Sequence, residues 1–203
     1  EDIPGPDEFP SLRPKLSAYG FPTDIIPESR LNASLDPRRL ALIRDEIQSL
    51  DNRHREISIG HRVVKDEDQA DLTSSADAIL SQSVLCFVPD LDQIYRAMSQ
   101  WLLPGGFISH QIDFSISPSF PNTKYWNSHW GCSKNIWNIA SRKQLFVVNR
   151  QPCSSHIDYM EKHGLHLHYR QSTTSEGLPR RQLASEFSHL SEDDLTTRAA
   201  YLL

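Results

Sequence analysis

The stretch that most constrains this chain lies between residues 76 and 112, where the hydrophobic period changes twice. Ala76-Asp77-Ala78-Ile79-Leu80-Ser81 is a short, largely apolar run that reads as a buried strand. Ser83 to Phe87 follow as a turn or short helix. Leu91, Ile94, Tyr95, Met98 and Leu102 then recur at helical spacing, which predicts a helix over 90–103. Pro104-Gly105-Gly106 interrupts that period, and 107–112 reads as a second strand. Strand, helix, glycine turn and strand at this spacing form a βαβ unit. Two parallel strands need such a crossover, so the chain is expected to adopt an α/β fold with a parallel sheet.

The flanking regions are read in the same way. Prolines at 4, 6, 10, 14, 22 and 27 fix their own backbone and restrict their predecessors, so 1–35 is expected to be an irregular lead-in. Asp36-Pro37 opens a helix, with Asp36 as its N-cap and Leu40, Ile43, Ile47 and Leu50 on one face. Alternation over 56–64 predicts a strand. A long aromatic and polar loop is expected over 115–132. A helix over 133–142 would bury Ile136, Trp137 and Ala140, and the apolar run 145–148 is of undecided type. A helix over 154–163 should stop at Gly164. Residues 165–169 read as a strand and 172–181 as a polar loop. Ser191-Glu192-Asp193-Asp194 resembles the start of a terminal helix.

Composition narrows the function classes. The 203 residues carry a net charge of −5, which argues against a nucleic-acid binder with a basic face. Cys86, Cys132 and Cys153 form no C-x-x-C pair, so neither a zinc site nor a disulfide framework is indicated and no metal is expected. Reduced thiols and the lack of a signal-peptide pattern or an apolar run of spanning length point to a cytoplasmic location. His166 and His168 share a strand face but have no third ligand in view, and two half-exposed histidines are the expected outcome. Asn149-Arg150-Gln151 is expected to be a surface turn, with a cation site for an anionic substrate as the other reading.

The motifs of the βαβ unit carry a family resemblance. Ser75-Ala76-Asp77-Ala78-Ile79-Leu80-Ser81-Gln82-Ser83-Val84-Leu85 resembles the fourth strand and following loop of the class I S-adenosylmethionine-dependent methyltransferases. Val88-Pro89-Asp90-Leu91 resembles the start of their next helix. Trp101-Leu102-Leu103-Pro104-Gly105-Gly106 resembles the leucine-x-proline-glycine-glycine turn before their fifth strand, which Ser109-His110-Gln111-Ile112-Asp113 continues. The resemblance implies a Rossmann-like fold, incomplete at the N-terminus, with a partial methyltransferase domain over 36–203. It implies S-adenosylmethionine as cofactor and methyl transfer to a small-molecule or sugar-like acceptor. The alternative is an inactive binding or scaffolding module of the same descent. Two departures favour that alternative. The family holds its cofactor through a glycine-rich loop after the first strand and an acidic residue ending the second, whereas the eight glycines here form no G-x-G. Those two strands are therefore expected to be missing, leaving an open sheet edge for self-association or a partner to cover. Many relatives also carry Glu-His where this chain has Cys86-Phe87.

Open α/β sheets bind ligands at the carboxyl ends of their strands, which selects the site residues. Ser81, Gln82 and Ser83 are expected to line the cofactor side, with Asp77 either shaping that pocket or satisfied by nearby backbone. His110 and Asp113 end the second strand of the unit. A spacing of three puts them on opposite faces unless the strand stops between them, so His110 is either a general base or a buried, hydrogen-bonded ring. Asp113 or His129 is expected to position or deprotonate the acceptor. Tyr125, Trp126, Asn127 and Trp130 are expected to bound the acceptor side, against the alternative that they pin the loop as a satellite cluster.

Overall fold

The computed structural model describes residues 28–48, 72–116, 124–144 and 146–203. The chain divides into two compact units, 1–63 and 64–203. In the first, helix α1 spans Glu28–Ser34, so the stretch 1–35 expected to be irregular ends in a helix, and helix α2 spans Pro37–Gln48. Asp36 caps α2 as its sequence predicts: Oδ1 accepts from the backbone N–H of Arg38 at 2.9 Å and of Arg39 at 3.3 Å. The expected strand over 56–64 lies outside the described residues.

The second unit is built on a four-stranded sheet. Strand β1 is Ala76–Gln82, helix α3 is Leu91–Trp101, and strand β2 is Leu102–Asp113. Helix α4 is Lys134–Ala140, helix α5 is Cys153–Lys162, strand β3 is Arg170–Thr174, helix α6 is Glu192–Thr196 and strand β4 is Thr197–Leu202. The spatial order is β1-β2-β4-β3. The β1–β2 pair is parallel, as the βαβ reading requires, and β4 runs antiparallel to both β2 and β3. Among the described residues nothing pairs with the outer edge of β1.

Local chemistry explains the central crossover. Asp90 accepts from the N–H of Gln93 at 2.9 Å and starts α3, which buries Leu91, Tyr95, Ala97 and Met98. The helix ends at Trp101, three residues before Pro104, because a proline forces its predecessor out of helical space. The carbonyls of Gln100 and Trp101 are not left unpaired: they accept from Ser74 and Ser75 just ahead of β1, at 2.8 and 2.9 Å. Pro104-Gly105-Gly106 does not precede β2 but forms a bulge within it. Ala76 pairs with Leu102 and Ala78 with Phe107. Gly105 takes φ +82°, and a Cβ on Gly106 would sit 3.0 Å from the Leu103 carbonyl and 3.1 Å from that of Ala76.

The core lies on one face of the sheet, where Leu85, Leu91, Tyr95, Met98, Ile108, Ile112, Phe114, Met160 and Leu202 pack together. The opposite face is far more open: Leu80 is 71% exposed and Phe107 51%. Three expectations need correction. Residues 165–169 are not a strand; β3 begins at Arg170 and runs on to Thr174, into the region read as polar loop. The terminal helix is a single turn, α6, after which the chain becomes the inner strand β4. Ile136 is 57% exposed, so of the expected apolar side of α4 only Trp137 is buried.

Candidate active site

Strand β1 ends at Gln82 and β2 at Asp113, and because they are parallel both carboxyl ends meet at one place. Ser83 makes the turn out of β1 at φ 52°. Its N–H donates to the Gln111 carbonyl at 2.8 Å and its hydroxyl to Gln111 Oε1 at 2.8 Å. A 3₁₀ turn, Leu85–Phe87, then carries Cys86 and Phe87 across the strand ends. Asn149, distant in the sequence, fixes this turn. Its Nδ2 donates to the carbonyls of Leu85 at 2.7 Å and Val88 at 2.8 Å, and its N–H donates to Cys86 O at 2.8 Å.

Above these ends opens a cleft of about 420 Å³ lined by Ser83, Cys86, Phe87, Asp113, Ser115 and Ile116, and closed by Lys124, Tyr125, Trp126, Val148 and Arg198. Asp113 Oδ1 accepts from the N–H of Ser115 at 2.9 Å. This holds the carboxylate at the strand end, where it lines the cleft. Burial and the nearby Asp113 charge push the Cys86 thiol up to about 11, so it is a neutral thiol at physiological pH. Trp126 is anchored by its indole N–H to Ser175 O at 3.3 Å, and its own carbonyl accepts from Ile116 at 2.8 Å.

The residues expected at the site divide sharply. Asp113, Ser83, Tyr125 and Trp126 converge on the cleft. His110 does not. Strand β2 runs on to Asp113, so His110 points to the opposite face, where it is fully buried with Nδ1 2.8 Å from Ser81 Oγ. Burial lowers its pKa to about 4. Ser81 is thereby turned toward the core. Gln82 is exposed on the open face, and Asp77 sits at the amino end of β1, the far end from the cleft. The four residues expected on the cofactor side thus form no single cradle: Ser83 lines the cleft, whereas Asp77, Ser81 and Gln82 do not.

The aromatic loop divides as well. Asn127, His129 and Trp130 turn inward. Asn127 Oδ1 accepts from Leu178 N–H at 2.7 Å, and Trp130 donates to Arg150 O at 3.0 Å while packing with Leu190 and Leu195. His129 lies between the rings of Trp130 and Trp137, and burial, aided by the Arg150 charge, lowers its pKa to about 3. Arg150 is not in a surface turn. It is buried, donates to the Cys132 carbonyl, pairs with Glu186 at 3.2 Å and lies over the ring of Phe187. Lys124 and Arg198 at the cleft were not singled out by sequence. Lys124 lies next to the aromatic cluster, but Arg198 reaches the cleft only because β4 pairs with the end of β2.

Residues 34–109 match the family model of a methyltransferase domain. With its open mixed sheet, the chain has an α/β, Rossmann-like fold consistent with that match. Among solved structures, this chain is similar to a chain of the complex between the Haloferax volcanii Trm112 methyltransferase activator and a candidate methyltransferase. Identity is 14% and the TM-score 0.37, over 64% of this chain and 54% of that one. The present chain therefore spans about half the length of that structure. No curated protein matches the sequence. Among the described residues no helix is long and apolar enough to cross a membrane, and no group of three or more potential ligands could hold a metal.

Proposed function

We propose that this chain supplies the acceptor-binding side of an S-adenosylmethionine-dependent methyltransferase acting on a small molecule, with Asp113 as the residue that positions the acceptor and takes its proton. The observation that carries the reading is the place of Asp113: it ends β2 in a cleft at the carboxyl ends of two parallel strands, one oxygen held by Ser115 N–H. A hydroxyl or amine acceptor donates its hydrogen bond to the second oxygen, and the carboxylate accepts the proton as the acceptor becomes nucleophilic. Phe87, Tyr125 and Trp126 exclude water from that contact. Cys86-Phe87, standing where many class I relatives carry Glu-His, brings a neutral thiol and a phenyl ring, so among the described residues Asp113 is the only carboxylate lining the cleft.

The test is transfer of labelled methyl from millimolar S-adenosylmethionine into the small-molecule fraction of a cell extract. Asp113→Asn is expected to lower the initial rate by about 10²–10⁴-fold without changing the melting temperature by more than a few degrees. An unchanged rate removes Asp113 from the reaction. No labelled product from the unaltered chain favours the inactive binding module instead.

A further inference from the structure

Two cations border the cleft and neither forms an ion pair among the described residues. Lys124 reaches it from the aromatic loop, its Nζ 4.9 Å from the centre of the Tyr125 ring. Arg198 reaches it from β4, its Nε donating to Ser115 Oγ at 3.2 Å, the same residue whose N–H holds Asp113. By contrast, Arg150, Lys162, Arg170 and Arg180 each have a carboxylate within 4 Å. Among the described residues Asp113 is the one carboxylate lining the cleft, so their charges there sum to an excess of positive charge in a chain whose net charge is −5.

Resting on the acceptor-side reading above, we infer that the cleft selects an anionic acceptor: a flat hydroxy-acid whose carboxylate lies between Lys124 and Arg198, whose ring lies along Tyr125 and Trp126, and whose hydroxyl donates to Asp113. The charges are arranged for this. A ligand anion facing Asp113 alone would be repelled, whereas two cations on separate segments offset that repulsion and orient the ligand with its hydroxyl, not its carboxylate, toward Asp113. Arg198 offers a guanidinium fork, suited to bidentate contact with a carboxylate. The volume of about 420 Å³ suits a molecule of that size.

The probe pair is 4-hydroxyphenylacetate and its neutral amide, titrated into the whole chain by ligand-observed NMR. The acid should bind at least about 10-fold more tightly than the amide, and raising the salt concentration should weaken only the acid. Lys124→Gln and Arg198→Gln should each reduce the preference, and together abolish it. Asp113→Asn should keep or increase the preference for the acid. Equal affinities for acid and amide, or a preference that survives the double variant, overturn the inference, as does failure of both probes to bind. These outcomes are separate from methyl transfer: a chain that labels neutral acceptors but ignores this charge difference retains the proposed reaction and loses only its anionic specificity.

Discussion

Lowering the pH should destabilise this chain through three histidines that the fold keeps neutral. His110, His129 and His156 are all buried, with side-chain nitrogens that find no partner among the described residues: His110 Nε2, His129 Nδ1 and His156 Nε2. Burial lowers their pKa values from 6.5 to about 4, 3 and 3 respectively. An imidazole whose native pKa is depressed binds its proton more readily in the unfolded chain. Stability is therefore full above the unfolded value and is lost as pH falls from there toward the native value. At about pH 5 an unfolded imidazole is almost wholly protonated and these native ones almost wholly neutral, a ratio of about 30, or about 2 kcal/mol for each ring. The three together would cost about 6 kcal/mol relative to about pH 7.5, comparable to the whole stability of a small domain at about 5–15 kcal/mol. His129→Phe isolates one of them, because a phenyl ring suits the space between Trp130 and Trp137. Urea unfolding followed by far-ultraviolet circular dichroism at the two pH values should show the variant losing about 2 kcal/mol less than the parent. An identical loss in both would refute the assignment of His129 as a buried neutral ring.

Other substitutions probe the scaffold around the cleft. Gly177→Ala should lower stability by about 1–3 kcal/mol in thermal melts, because its Cβ would meet the Leu195 carbonyl and lie 2.6 Å from Asn127 Nδ2. Asn149→Ala leaves the carbonyls of Leu85 and Val88 without this donor and should cost about 1–3 kcal/mol, with weaker ligand binding because the Cys86–Phe87 turn loosens. Arg150→Ala should cost about 2–4 kcal/mol, and Arg150→Lys should recover only part of it, since an ammonium cannot lie flat over Phe187 while reaching both Cys132 and Glu186. Calorimetric titration with S-adenosylmethionine should give only weak binding, because Asp77, Ser81 and Gln82 point away from the cleft; tight binding would place the cofactor elsewhere in the chain.

The sequence by itself determined the crossover at the centre of this protein. Asp90 as a cap, apolar residues at helical spacing from Leu91 and a proline-glycine-glycine interruption are local signals, and each acts through backbone dihedrals and side-chain periodicity that need no distant partner. The parallel pairing of β1 and β2 follows from them, and so does the place of the cleft. The opposite facing of His110 and Asp113 was also legible, given a strand that runs through both, because the side-chain period of a strand is two. Only the tertiary structure decided the C-terminal region. Thr197-Arg198-Ala199-Ala200-Tyr201-Leu202 follows a helix cap and contains good helix formers, yet it is a strand because β2 and β3 satisfy both of its edges at once. Arg170–Thr174 is polar throughout, as an edge strand with one partner can be, so it carried no apolar alternation to read. Local pattern likewise could not divide the aromatic loop, where neighbouring residues part company: Tyr125 and Trp126 border the cleft, while Asn127, His129 and Trp130 are drawn inward by Leu178, Trp137 and Leu190. Which side a loop residue faces is set by partners as distant in sequence as Leu178 is from Asn127, and the long-range pairing of β4 with β2 brings Arg198 to the cleft that Lys124 also lines.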